Sequence, residues 1–168
     1  LSKHPYLNIY SDPNLPRYIE KKLREFIRVN ENFRLIVRYH PSENVKFINE
    51  PRVSQSFISE SIESILHAVD IVVIMSSTVG LQGYYAGKEV IYVKGSMHDQ
   101  EIQMLTSKIG SHVNSLDYLH QTIIRTKENL LQKSKSKPLN TKNKSFNAAD
   151  IIISEMFKLT KGTIIVSN

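Results

Sequence analysis

One segment constrains this chain more than any other: Asp70–Val93, DIVVIMSSTVGLQGYYAGKEVIYV. Ile71–Met75 is an unbroken apolar run, mostly β-branched, and Val90–Val93 is a second. Runs without polar alternation suit strands covered on both faces, as in parallel sheets. Thr78–Ala86 between them reads as a short helix, with Gly87 placed to end it. Strand, helix and strand in succession make a βαβ unit, and that unit needs further strands and helices to cover it.

The rest of the chain supplies them. Tyr6–Tyr10 is a short extended stretch closed by Ser-Asp-Pro-Asn. Asn14 can cap a helix with Pro16 in its first turn and Ile19, Leu23, Phe26 and Ile27 on one face. Arg34–Tyr39 reads as a strand that stops at His40-Pro41, because proline disfavours helix before it and cannot donate to a ladder. Arg52–Gln55 reads as a short strand, and Ile58, Ile62, Ile65, Leu66 and Val69 mark an amphipathic helix. Beyond Val93, a helix through Ile102, Leu105 and Ile109 is expected to stop at Gly110, followed by a weak strand at His112–Val113. Ser115 can cap a helix carrying Leu116, Leu119, Ile123 and Leu130. Lys133–Ser145 is polar and linker-like, and Asn147 opens a last helix through Ile152, Ile153, Met156 and Phe157. The expected architecture is α/β, three layers deep, with a parallel sheet of about five or six strands. Residues 1–132 form the domain, 133–145 a basic linker, and 146–168 a C-terminal helix that packs back on it.

Composition narrows the chemistry. At 168 residues and 40% apolar, the chain suits one domain with a sizeable core. It has no cysteine, which removes disulfide scaffolds, thiolate metal sites and thiol nucleophiles. Its histidines form no HxH or HxxxH pair, so no metal site is expected. No apolar run reaches the ~20 residues of a membrane span, no signal peptide is visible, and a cytoplasmic location is expected. Because the chain opens Leu-Ser-Lys-His rather than with Met, a fragment of a longer protein is expected. The net charge of +6 resides in Arg125–Lys144, which carries seven Lys/Arg and one acid, while the remaining charges balance. That segment is either a solvated helix end and loop or a patch for an anionic surface. Arg125, Lys127, Lys133, Lys135 and Lys137 would form the patch, at the inner face of a membrane. Without interleaved aromatics it does not suit nucleic acid.

Parallel sheets bind ligands beyond the carboxyl ends of their strands. That rule selects the loops after Tyr39 and after Met75. The second, Ser76-Ser77-Thr78-Val79-Gly80, passes from a buried strand straight into a helix. Its leading N–H groups lack helical acceptors, and its small hydroxylated residues allow a phosphate to come close. Alternatively, Ser77 or Thr78 only caps the helix. His40 could donate to the same phosphate, or be bonded within its own loop. Tyr84 and Tyr85 suit packing better than substrate stacking. Asp99 and Glu101 are either acid–base candidates or first-turn helix charges.

RLIVRYHP, followed by a helix and then DIVVIMSSTVGLQGYYAGKEVIYV, resembles the C-terminal domain of GT-B glycosyltransferases. It is most similar to bacterial polysaccharide and teichoic-acid-type transferases and to non-hydrolysing UDP-N-acetylglucosamine 2-epimerases, over roughly Arg34–Leu119. The resemblance implies a Rossmann-like domain, the C-terminal half of a GT-B fold. It implies a donor diphosphate held by His40, Ser76, Ser77, Thr78, Val79 and Gly80. It places base contacts near Arg52, Val53 and Ser54, within Arg52–Ser56, and the ribose contact at Gln82. The family usually has Glu there; Gln82 can accept from a hydroxyl but lacks the charge-assisted bond. Glu89 stands where Pro usually follows Gly-Lys. The implied function is the nucleotide-sugar-binding half of a transferase that builds a polysaccharide or glycolipid. Its donor would be UDP- or CDP-linked, no other cofactor is expected, and a separate N-terminal domain would bind the acceptor. Two alternatives are a 2-epimerase-like domain and a non-catalytic module for an anion or a partner.

Overall fold

A computed structural model describes residues 2–3, 10–96, 99 and 109–136 of the chain. The protein is a mixed α/β structure with short parallel sheets and helices. β1 (Ser2–Lys3) pairs antiparallel with β2 (Tyr10–Ser11). Helix α1 (Leu15–Val29) follows, and then β3 (Leu35–Val37) pairs parallel with β4 (Val53–Gln55). Helix α2 (Ile62–Ala68) leads to β5 (Ile71–Ile74), α3 (Val79–Tyr85) and β6 (Glu89–Val93). β7 (Ser111–Val113), a 3-10 turn at Leu116–Tyr118 and α4 (Leu119–Ser136) complete the described chain. β5, β6 and β7 form one parallel sheet in that order, with Ile74 opposite Tyr92 and Tyr92 opposite His112.

The central strand of that sheet explains its own sequence. Val90–Val93 is buried on both faces, which is why EVIYV shows no polar alternation past its first residue. Ile91 and Val93 face a cluster with Leu15, Ile19, Phe26 and Ile27 of α1 and Leu119 and Ile123 of α4. Leu35 of β3 and Val53 of β4 pack against that same cluster, so both parallel sheets share the α1–α4 cover. Val90 and Tyr92 face the other way, onto Val72 and Leu66, with Ile62 of α2 and Val79 of α3 alongside. Each fully buried side chain of this size is worth about 1.5–3 kcal/mol.

Element boundaries differ from expectation in ways the hydrogen bonds explain. The strand expected over Arg34–Tyr39 shrinks to Leu35–Val37, because Ser56 N–H to Val37 O at 2.9 Å is its last ladder bond. Asn14 occupies the cap position of α1 in helical conformation and makes no side-chain cap. Asp12 takes that part instead, accepting from Asn14 N–H on Oδ1 at 2.9 Å and from Leu15 N–H on its carbonyl at 3.0 Å. Ser115 caps the 3-10 turn rather than the long helix directly, accepting from Asp117 N–H at 3.3 Å. α4 runs on through Ser136, so residues 133–136 of the expected linker are helical. The expected helix through Ile102, most of the Tyr6–Tyr10 stretch, residues 137–145 and the expected C-terminal helix lie outside the described residues.

α3 ends as its glycine suggests. Lys88 N–H bonds Gly83 O and Gly87 N–H bonds Tyr84 O, both at 2.9 Å, while Gly87 takes φ +75°. This paired closure requires a left-handed residue at its centre, which glycine adopts without a Cβ clash.

Candidate functional site

The turn between β5 and α3 is the first candidate. Ser76, Ser77 and Thr78 are exposed, directly after a strand whose Val72 is buried. Ser77 Oγ accepts from Val79 N–H at 3.2 Å, and Ser77 O accepts from Gly80 N–H at 3.2 Å. Thr78 has helical angles and makes no side-chain cap. Capping therefore falls to Ser77 and leaves the Thr78 hydroxyl uncommitted. Among the described residues, the N–H groups of Ser76, Ser77 and Thr78 meet no backbone or side-chain acceptor. Successive unpaired N–H groups in a turn form a concavity that favours an anion.

Gly80 fixes where this turn sits. A Cβ there would lie 2.7 Å from Tyr92 Oη and would collide with Ile74 Cδ1. The first turn of α3 thus rests directly on β5 and β6, which only glycine permits. Tyr92 is 2% exposed, and its hydroxyl has no hydrogen-bond partner among the described residues. Burial pushes its phenol up to about 12.

His40 follows β3 and is exposed at its loop surface. Nδ1 of its ring lies 2.7 Å from Ser42 Oγ and accepts from Ser42 N–H at 3.3 Å. His40 N–H donates to Glu43 Oε2 at 2.9 Å, and Glu43 Oε1 accepts from Arg17 of α1 at 3.1 Å. The bonding within the loop weighed from sequence is present. It occupies Nδ1, and no protein hydrogen bond engages Nε2 among the described residues. Among the described residues no hydrogen bond joins this loop to the Ser76–Gly80 turn.

Other site residues expected from sequence lie elsewhere. Arg52 stands at the amino end of β4, with φ +63°, and donates to Asn30 O at 2.7 Å at the end of α1. Val53 packs into the α1–α4 cluster, and Ser54 is an exposed mid-strand residue. None of the three is at the carboxyl end of β4. That end leads into Ser56–Glu60, which Arg38 holds by donating to Ser56 Oγ, Phe57 O and Glu60 O, each at 3.0 Å. Glu60 Oε2 accepts from Phe57 N–H at 2.9 Å, and hydrogen bonds from Ser56 and then Phe57 hold its carboxyl below the usual range. Sequence reasoning missed this loop; the signal was Arg38 itself, a charge one residue past a half-buried apolar strand.

Gln82 Oε1 is shielded from solvent and has no partner among the described residues. The acceptor expected for a ribose hydroxyl is thus turned away from water. Asp99 is committed to its own loop, accepting from Gly95 N–H at 2.6 Å and Ser96 N–H at 3.1 Å, and Glu101 lies outside the described residues. Tyr84 and Tyr85 meet edge to face at 5.5 Å and, with Lys88, Glu89 and Gly110, line an open hollow of about 420 Å³. This hollow is at the amino end of β6, opposite the Ser76–Gly80 turn.

The basic segment is partly neutralised. Lys127 donates to Asp70 at 3.0 Å and Lys133 to Glu89 at 2.6 Å, tying α4 to the amino ends of β5 and β6. Two of the five residues expected to form an anionic-surface patch are therefore engaged with acids of this chain; Lys137 lies outside the described residues. Among the described residues no cluster of three or more His, Asp or Glu could hold a metal ion, and no helix is long and apolar enough to cross a membrane. Compared with known proteins, the chain matches no family model, no curated protein and no solved structure.

Proposed function

We propose that this chain is the nucleotide-diphosphate-sugar-binding half of a glycosyltransferase acting in polysaccharide or glycolipid biosynthesis. In this reading the fold is a three-layer Rossmann-like domain, the C-terminal half of a GT-B arrangement. One observation carries it: three consecutive exposed residues, Ser76, Ser77 and Thr78, offer unpaired N–H groups just past the carboxyl end of a parallel strand. The diphosphate of the donor would lie on those groups, with the Thr78 hydroxyl and His40 Nε2 as further donors. α3 has seven residues, so most of the stabilisation comes from these local donors rather than a long helix dipole. The same donors would stabilise charge developing on the diphosphate as it leaves the sugar. The acceptor site and general base would come from a second domain.

Gln82 Oε1, the expected ribose acceptor, is withdrawn from solvent. That observation favours a second reading, a module that binds the anion without the ribose. Titration calorimetry of the chain with UDP, CDP, GDP and inorganic pyrophosphate separates them. A nucleotide-sugar site binds at least one nucleoside diphosphate more tightly than pyrophosphate. Equal affinity for all four supports the anion module, and absence of binding to any of them sinks both.

A further inference from the structure

His40 sits in a loop whose bonds select one form of its ring. A backbone N–H can only donate, so the Ser42 N–H contact at 3.3 Å makes Nδ1 an acceptor. Nδ1 then carries no proton, and the Ser42 hydroxyl, 2.7 Å away, must donate to it as well. The proton of the neutral imidazole is left on Nε2. The loop is fixed at its base: Glu43 accepts from His40 N–H through Oε2 and from Arg17 through Oε1, while Glu43 N–H bonds His40 O at 2.9 Å. Arg17 also lies 4.7 Å over the Tyr39 ring and pairs with Glu20 at 2.6 Å, so the anchor is part of α1 rather than of the loop.

We infer that Ser42 is a positioning residue, and the Glu43–Arg17 pair its anchor, which together present His40 as an Nε2–H donor. The group presented suits an anionic oxygen, and its use on a donor diphosphate rests on the function proposed above. Its direction is set before the ligand arrives, which spares the cost of choosing the tautomer on binding.

The test is a long-range nitrogen–proton correlation spectrum of the full chain with isotope-labelled histidine, at mildly alkaline pH where imidazole is neutral. The wild-type chain should show His40 almost wholly as the Nε2–H tautomer. Ser42→Ala keeps the 3.3 Å N–H donor and loses the 2.7 Å hydroxyl, so it should weaken the bias; Ser42→Thr should restore it, and Glu43→Ala should weaken it while Ser42 remains. UDP affinity should fall roughly fivefold in Ser42→Ala, about the worth of one neutral hydrogen bond, and return in Ser42→Thr. A proton on Nδ1 in the wild type, or no tautomer change in Ser42→Ala, overturns the inference. If the tautomer behaves as stated and UDP does not bind, the positioning stands and the proposed function fails.

Discussion

At the scale of single residues, Gly80 and Tyr92 settle the geometry beneath the Ser76–Gly80 turn. A methyl group on Gly80 has no room between Ile74 and Tyr92. Gly80→Ala should therefore cost about 1–3 kcal/mol, read as a lower denaturant midpoint, and should blunt any anion binding by lifting the turn. Tyr92 carries a buried hydroxyl without a partner, so Tyr92→Phe should be neutral or stabilising by up to about 1 kcal/mol. Its titration has a definite sign. The phenol rises from 10.0 to about 12 in the folded chain, so the folded state keeps its proton where the unfolded state loses it. Stability from this group is full below pH 10 and drains away between pH 10 and 12, by on the order of 2 kcal/mol. Alkaline unfolding followed by circular dichroism should show that decline, and Tyr92→Phe should remove it. These effects were not legible beforehand: Gly80 was read as one of the residues around the diphosphate, and only the register of Ile74 with Tyr92 makes a glycine obligatory there.

At the scale of elements, α1 is more than a cover for the sheets. Arg24 is 6% exposed and donates to Glu20, to Glu50 and to Ile48 O, and Tyr39 Oη donates to Glu20 at 2.9 Å. These bonds clamp the segment between β3 and β4 onto the helix. Arg24→Ala should cost on the order of 2–3 kcal/mol, since it strands two half-buried carboxylates, although Arg17 and Arg28 still serve them. Arg28→Ala, whose side chain is 60% exposed, should change thermal stability little by comparison. Glu50 has its carboxyl held below 4.5, first by its hydrogen bonds from Arg28. Its contribution is present above that value and is lost as pH falls through the lower folded value. Thermal melts below pH 4.5 should therefore separate the wild type from Glu50→Gln less than melts at neutral pH do. Helix periodicity marked α1 from its apolar face, but the ion pairs join residues 22 to 26 positions apart, which no local pattern encodes. For the same reason the clamp of Arg38 on Ser56–Glu60 was missed, and Arg52 was read as a ligand contact although it closes the end of α1.

At the scale of the whole molecule, the legible part is the part governed by burial. The unbroken runs of β5 and β6, the turn between them and the glycine that closes α3 all stand where the sequence placed them. Two causes govern the runs and the glycine: a strand covered on two faces cannot carry polar residues, and a left-handed helix end demands glycine. The antiparallel pairing of Ser2–Lys3 with Tyr10–Ser11 was not legible, since two-residue strands carry no periodicity. Of the candidate site, the exposed turn after β5 was legible as a strand-to-helix passage, while the direction of a side chain such as Gln82 was not. The central claim is that anionic ligands meet this protein at the Ser76–Gly80 turn. Amide correlation spectra of the full chain titrated with UDP test it most directly. Saturable shifts concentrated on Ser76, Ser77, Thr78 and His40 are the predicted result. Shifts confined to the hollow around Tyr84, Lys88 and Gly110, or no shifts at all, would contradict it.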